Sequence, residues 1–322
     1  MSTSIDQLLL HAADELDAGR CVALCLLART QGSTPAQAGA LMVVTGDSQL
    51  IGTIGGGCVE AEVRRTVLGM LSEQRTGTLT YQLNHDYGWD DGLICGGSIE
   101  IAVGLPRSSG ELRSVAGAHR MRRSTQLAIQ ADASEAAPQR RYVLRIDPRP
   151  RLLIAGAGHV GAALAEYAAG LEFDVTVFDD RPDLLARIAT GVVQGVAGPI
   201  PERLAGAAID ADTYIVIVTR GHRHDEEALK AVIDSPARYV GMIGSRRKVK
   251  LTFDDLRTMG VGADRLARVH APIGVPIHSV TVREIALSIA AQLVAVRREG
   301  FRSPVTMSEG AATHEPAGAA LK

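Results

Sequence analysis

The segment RLLIAGAGHVGAALAEYAAG, residues 151–170, constrains this chain more than any other. An apolar run leads into glycines at 156, 158 and 161, and an Ala- and Leu-rich stretch without a breaker follows. Between a strand and a helix, G-x-G-x-x-G has a mechanism. Gly156 makes the tight turn, Gly158 lets a phosphate approach the backbone, and Gly161 lets the helix pack on the strand. Free N–H groups at the helix start then face an anion. The next apolar run, DVTVFDD, ends in Asp179 and Asp180, at about the spacing of an acid that contacts a ribose. Acids there favour a ribose hydroxyl over a 2′-phosphate, although Arg181 follows directly and weakens the point. The pattern reads as a Rossmann-type domain able to bind a nucleotide or related phosphate. A turn of the same shape that has lost its ligand is the alternative.

The periodicity around this segment extends the reading. RLLIAG, DVTVFDD, GVVQGV, TYIVIVT, RYVGMIG and ARVHAPI read as strands with helices between most of them. That is the alternation of a parallel, doubly wound sheet. A last helix over 282–297 opens with Thr281 and Glu284 at capping-box spacing. The prolines of DPRPR mark a boundary ahead of this domain. Residues 1–147 read as a smaller mixed α/β domain, with a first amphipathic helix, strands at CVALCLLA and ALMVVTG, and a helix over 59–71. Further strands are expected at TGTLTYQLNH, ICGGSIEIAVGL, STQLAIQA and RRYVLRI, the last two joined by a loop over 130–140. The expected fold class is therefore α/β, a mixed N-terminal domain followed by a Rossmann-type parallel-sheet domain over 148–303. Residues 304–322, rich in Ala, Gly, Pro and polar residues, are expected to be a disordered tail.

Charge excludes some function classes. With 34 basic and 36 acidic residues, the chain has no broad electrostatic surface for nucleic acid, and 3% aromatics leaves little for base stacking. The N-terminus carries acids inside its apolar stretch and lacks a basic start, so it does not read as a signal peptide. The apolar run over 21–28 is too short to span a bilayer, and a cytoplasmic location is expected.

Four cysteines in 322 residues do not make a disulfide framework. Cys21 and Cys25 lie in a strand-like run and read as buried small hydrophobes. Cys58 and Cys95 differ, because each abuts glycines: Gly55, Gly56 and Gly57 before one, Gly96 and Gly97 after the other. Where a glycine run meets a helix start, unpaired N–H groups stabilise a thiolate. A thiolate carries sulfur, attacks disulfides or binds a soft metal; two buried cysteines in tight turns are the bland alternative. His85, Asp86 and Trp89 precede Cys95, either in the same pocket or on a surface loop.

The second domain has further candidates at strand ends. His159, inside the glycine turn, faces either a ligand or solvent. His222, His224 and Asp225 follow the strand TYIVIVT; Asp225 reads as the cap of the next helix, and one histidine is a candidate ligand contact. The two histidines are not at helical metal-ligand spacing, and no further ligand stands out. Ser245 and Arg246, with Arg247 and Lys248 after them, are candidates for gripping a phosphate at a helix start.

Together these segments resemble the XdhC/CoxI family of xanthine dehydrogenase accessory proteins. The carriers are GSTPAQAGALMVV, IGTIGGGCVEAEV and LICGGSIEI in the first domain. In the second they are RLLIAGAGHVGAALA, VTVFDDRPD, VTRGHRHDEEAL, YVGMIGSRRKV and HAPIGVPIHSVTVREIALSIAAQLVA. The resemblance implies an accessory protein that binds molybdenum cofactor, as molybdopterin or its cytosine dinucleotide form, and supports its sulfuration and insertion into a molybdenum hydroxylase. It implies as partners the hydroxylase apoenzyme, a cysteine desulfurase, a cofactor-synthesis nucleotidyltransferase and a second copy of the chain. It carries the family's cysteine motifs onto Cys58 and Cys95 as contacts to molybdenum or its sulfur, and its phosphate turn onto Gly156, Gly158 and Gly161. Two other readings stand beside it: an NAD-dependent oxidoreductase, supported by the fingerprint and Asp179, and a protein-binding adaptor that needs no thiolate.

Overall fold

The computed structural model describes residues 4–83, 96–131, 140–188, 191–299 and 303–309. The chain divides into two compact units, Met1–Pro148 with Arg302–Lys322, and Arg149–Phe301. His85, Asp86, Trp89 and Cys95 lie outside the described residues. Among those described, no helix is long and apolar enough to cross a membrane.

The first unit runs α1 (Ile5–Asp17), β1 (Val22–Gln31), β2 (Leu41–Thr45), β3 (Leu50–Gly52), α2 (Gly57–Ser72), β4 (Gly77–Gln82), β5 (Ser98–Gly104), α3 (Ser109–Arg120), β6 (Thr125–Ala131) and β7 (Arg140–Ile146). The first five strands form one antiparallel sheet in the order β3-β2-β1-β5-β4. The continuous apolar run of β1 is explained by its central place, since both of its faces are buried. Ala23, Cys25 and Leu27 join the core formed with Val59, Val63 and Val67 of α2. Val22, Leu24 and Leu26 join the opposite core with α1, α3, β6 and β7. Burial pushes the Cys25 thiol up to about 12, so this cysteine is an inert packing residue. Cys21 departs from the expectation of burial: β1 starts one residue later, and the Cys21 side chain is exposed.

The second unit is built on a six-stranded parallel sheet. Its elements are β8 (Arg151–Ala155), α4 (His159–Gly170), β9 (Asp174–Asp179), α5 (Pro182–Ile188), β10 (Val193–Ala197), α6 (Ile200–Ala205), β11 (Thr213–Ile217), α7 (His222–Val232), β12 (Tyr239–Met242), α8 (Arg246–Thr258), α9 (Ala263–Leu266), β13 (Val269–His270) and α10 (Val282–Arg298). The strand order β10-β9-β8-β11-β12-β13 reverses direction between β8 and β11. That reversal opens a crevice at the carboxyl ends of the strands, the usual ligand position of this architecture. One face of the sheet packs against α4 and α10, and the other against α6, α7 and α8. The capping box of Thr281 and Glu284 is present at the start of α10.

The segment expected to be a tail contains a strand. Val305–Glu309 (β14) pairs antiparallel with β7 and completes a three-stranded sheet, β14-β7-β6. Val305 and Met307 alternate onto the core of the first unit, while Thr306 and Ser308 are exposed. The composition of 304–322, taken as a whole, hid this short alternation. A chain ending at Ser303 is expected to be less stable than one ending at Glu309 by about 2–3 kcal/mol, the value of partly burying two apolar side chains. Urea titration of both truncations measures the difference.

Candidate functional site

The glycine turn of the second unit has the geometry its sequence predicts. Gly156 sits at φ 116°, and a Cβ there meets the Val218 carbonyl at 2.6 Å. A Cβ on Gly161 meets the Gly156 carbonyl at 1.9 Å, so only glycine lets α4 approach the turn. Gly158, the N-cap of α4, differs: its φ is −67° and a Cβ meets no protein atom within 4 Å. Nothing inside the fold demands glycine at 158, whereas a phosphate resting on the backbone does. His159 is exposed at the first position of α4.

Asp179 is placed at the end of β9 as expected, but its carboxylate is already engaged. Oδ2 accepts the Ala157 N–H at 2.7 Å and Arg181 Nη2 at 2.9 Å. Oδ1 accepts the Arg181 N–H at 3.0 Å and Arg181 Nε at 2.8 Å. The side chain is 1% exposed. Burial alone raises such a carboxyl; the hydrogen bonds from Arg181 and Ala157 outweigh it and hold Asp179 well below the usual carboxylate range. The expected ribose contact therefore has no free oxygen here: the acid closes the glycine turn from within. The adjacent Asp180 pairs with Arg220 at 2.7 Å.

Beside the turn lies a cavity of about 210 Å³, lined by Asp180, Arg181, Pro199, Thr219, Arg220 and His224 among others. Of the two candidate histidines, His224 therefore faces the cavity, while His222 turns to α8 and bonds Asp255 and Thr252. Asp225 is not the cap of α7, which is Gly221. It is fully buried at the fourth helical position, where it accepts the Thr219 N–H at 3.2 Å and pairs with Lys248. Capping would leave this carboxylate near water; burial under Lys248 makes it the anchor of the loop between β11 and α7. Ser245 and Arg246 are exposed and do not line the cavity; the Ser245 hydroxyl caps α8 by accepting the Lys248 N–H at 3.3 Å.

In the first unit, both glycine–cysteine segments meet the loop over 32–36. A Cβ on Gly97 meets the Ser33 carbonyl at 2.4 Å, and one on Gly55 meets Pro35 Cγ at 2.9 Å. Gly96 forms an isolated bridge with Ser33. Gly56 and Gly57 have open space where a Cβ would go, and the Cys58 that follows them is exposed in the first turn of α2. Among the described residues, the Gly57 and Cys58 N–H groups have no hydrogen-bond partner. Glu60, which sequence reading passed over, holds this entrance by accepting the Ile54 N–H at 3.2 Å and the Gly56 N–H at 3.4 Å.

The two units match two models of one family: residues 15–82 match the XdhC and CoxI family, and residues 152–293 the XdhC Rossmann domain. The chain belongs to the XdhC and CoxI family. The molybdenum cofactor insertion chaperone PaoD of Escherichia coli is 26% identical over 300 residues, covering 90% of this chain and 88% of that protein. A protein of Bacillus subtilis described as a probable xanthine dehydrogenase subunit is 25% identical over 316 residues, covering 85% of this chain and 93% of that one. The uncharacterized protein YqeB of E. coli is 31% identical over 291 residues, 88% of this chain, which spans only 45% of the length of YqeB. The crystal structure of a Bacillus halodurans protein described as a xanthine dehydrogenase superposes with a TM-score of 0.79 over 94% of this chain and 98% of its own, at 21% identity. That likeness establishes the shared fold of this XdhC/CoxI family member.

Two expectations follow from the turn. Gly161→Ala lowers stability by at least about 2 kcal/mol, because backbone cannot yield to the added methyl. Gly158→Ala stays within about 1 kcal/mol of wild type; thermal melts of the two variants compare them. Asp179→Asn weakens the native state at pH 7 by on the order of 2 kcal/mol. Because the folded-state pKa of Asp179 is depressed, its contribution is present above the unfolded carboxyl range near pH 4 and is lost as pH falls below it. Melting temperatures of wild type and Asp179→Asn thus differ by a constant amount down to about pH 5 and begin to approach each other between about pH 4 and pH 3, without meeting there.

Proposed function

We propose that this chain is a molybdenum cofactor insertion chaperone serving a xanthine dehydrogenase-type hydroxylase. The observation that carries the reading is an exposed thiol, Cys58, on a glycine-lined helix start, in a chain related to PaoD over most of that protein's length. The cofactor is cargo: it combines a soft metal bearing sulfur with a phosphate or nucleotide end. The residues fit such a ligand. Gly158 leaves room at the first turn of α4, where N–H groups have no helical partner. Gly56 and Gly57 leave room beside Cys58, where a thiolate suits molybdenum or its sulfur. In this reading the turn of Gly156, Gly158 and Gly161 is suited to a phosphate, and Cys58 and Cys95 are suited to molybdenum or its sulfur. Asp179 and Arg181 keep the turn in shape without touching the cargo.

The finer parts of the proposal come from the family resemblance. The chain works in the cytoplasm as a dimer, accepts the cofactor with or without its cytosine nucleotide, and meets a cysteine desulfurase before the hydroxylase. An NAD-dependent oxidoreductase fits less well, since the acid that should take the ribose is spent on Ala157 and Arg181.

Equilibrium binding of molybdenum cofactor, its cytosine dinucleotide form and NADH tests the reading on the full chain. A molybdenum form is expected to bind, with Cys58→Ala and Gly158→Ala each weakening it by about tenfold or more, the scale of losing a contact at a metal or phosphate site. Binding of NADH alone, indifferent to Cys58→Ala, overturns it.

A further inference from the structure

A cluster of metal-ligating side chains lies outside both the glycine turn and the cavity beside it. α7 carries His222 and Glu226 four residues apart, so both leave the same face of the helix. Asp255 of α8 meets them there: His222 Nε2 lies 3.1 Å from Asp255 Oδ2. One ligand atom from each of His222, Glu226 and Asp255 lies within 4.8 Å of the others, and all three residues are half-buried.

The far side of the imidazole ring decides what Nε2 can do. Thr252 is fully buried, and its hydroxyl lies 3.1 Å from the Lys248 carbonyl and 2.9 Å from His222 Nδ1, either of which can take its proton. Either way the Thr252 hydroxyl engages His222 Nδ1 and leaves Nε2 turned to Asp255. Among the described residues Glu226 has no ion-pair partner. A divalent cation balances both carboxylates and uses the Nε2 lone pair. A hydroxyl that fixes the non-ligating nitrogen is the outer support a metal-bound histidine requires.

We propose that His222, Glu226 and Asp255 bind one divalent first-row cation, with zinc the ion best suited to one imidazole and two carboxylates. Three protein ligands leave a fourth tetrahedral position for water. The cation staples α7 to α8. The opposite flank of α7 bears His224 and Glu227, which line the cavity, so the staple steadies one cavity wall.

The test is a titration of the metal-stripped full-length chain with Zn²⁺ against a chromophoric chelator, followed by the visible spectrum with Co²⁺. One equivalent of zinc is expected to remain in Cys58→Ala and Cys95→Ala. The same equivalent weakens by at least about tenfold in His222→Ala and Asp255→Asn, and in Thr252→Val, which removes only the outer hydroxyl. The cobalt spectrum of that site shows no thiolate charge-transfer band. Melting curves of metal-free Asp255→Asn and wild type are expected to coincide, so the loss is that of a ligand. No zinc uptake by the wild type, or uptake that is indifferent to His222→Ala and Asp255→Asn, overturns the proposal and leaves an ordinary histidine–aspartate pair. Because these substitutions avoid the glycine turn and Cys58, the outcome is independent of cofactor binding.

Discussion

The buried carboxylate of Asp179 holds the second unit's site together. It joins the end of β9 to the glycine turn through the Ala157 N–H, and it fixes Arg181 through two further atoms. Removing that carboxylate's charge costs on the order of 2 kcal/mol, because its hydrogen-bond donors are left unpaired. The backbone of 156–158 is thereby set before any ligand arrives, and Gly161 can bring α4 within reach of the Gly156 carbonyl. An acid at this strand end is usually read as a hand extended to a ribose. Here the guanidinium two residues on takes that hand, and the acid becomes part of the scaffold.

The first unit solves a different problem, that of exposing one thiol while burying another. Cys25 lies within β1 between two layers and is chemically silent. Cys58 stands in the first turn of α2, where glycines on its N-terminal side keep the backbone uncovered. The loop over 32–36 is pressed by Gly55 from one side and by Gly96 and Gly97 from another. A side chain at Gly55 or Gly97 has no room, so this close approach of backbones explains the repeated glycines without invoking a ligand. Gly56 is held to glycine by its φ of 144°, whereas Gly57 has neither a positive φ nor a neighbour where a Cβ would go.

Much of this was legible in the sequence where period and punctuation agree. The parallel sheet followed from apolar runs alternating with helical stretches, and the capping box of Thr281 and Glu284 appears as read. Helix α3 had a signal that went unread: Leu112, Val115, Ala116 and His119 recur at helical spacing and are buried together. Strand β14 escaped because five alternating residues were averaged into a polar tail. The roles of Asp179 and Asp225 were misread for one shared reason. Sequence shows an acid at a strand or helix end, but not which cation folds back onto it, Arg181 in one case and Lys248 in the other. His222 and Glu226 were visible at helical spacing, but Asp255 joins them only through the packing of α7 on α8. No spacing rule encodes that.

In the function proposed above, this chain carries molybdenum cofactor and gives it up to a hydroxylase. The most direct measurement is transfer. The purified chain, loaded with cofactor, is mixed with a cofactor-free xanthine dehydrogenase-type enzyme while an excess of an unrelated molybdopterin-binding protein scavenges any free cofactor. The account predicts that hydroxylase activity appears in proportion to the loaded chain despite the scavenger. Activity no greater than that obtained from free cofactor under the same scavenger contradicts it.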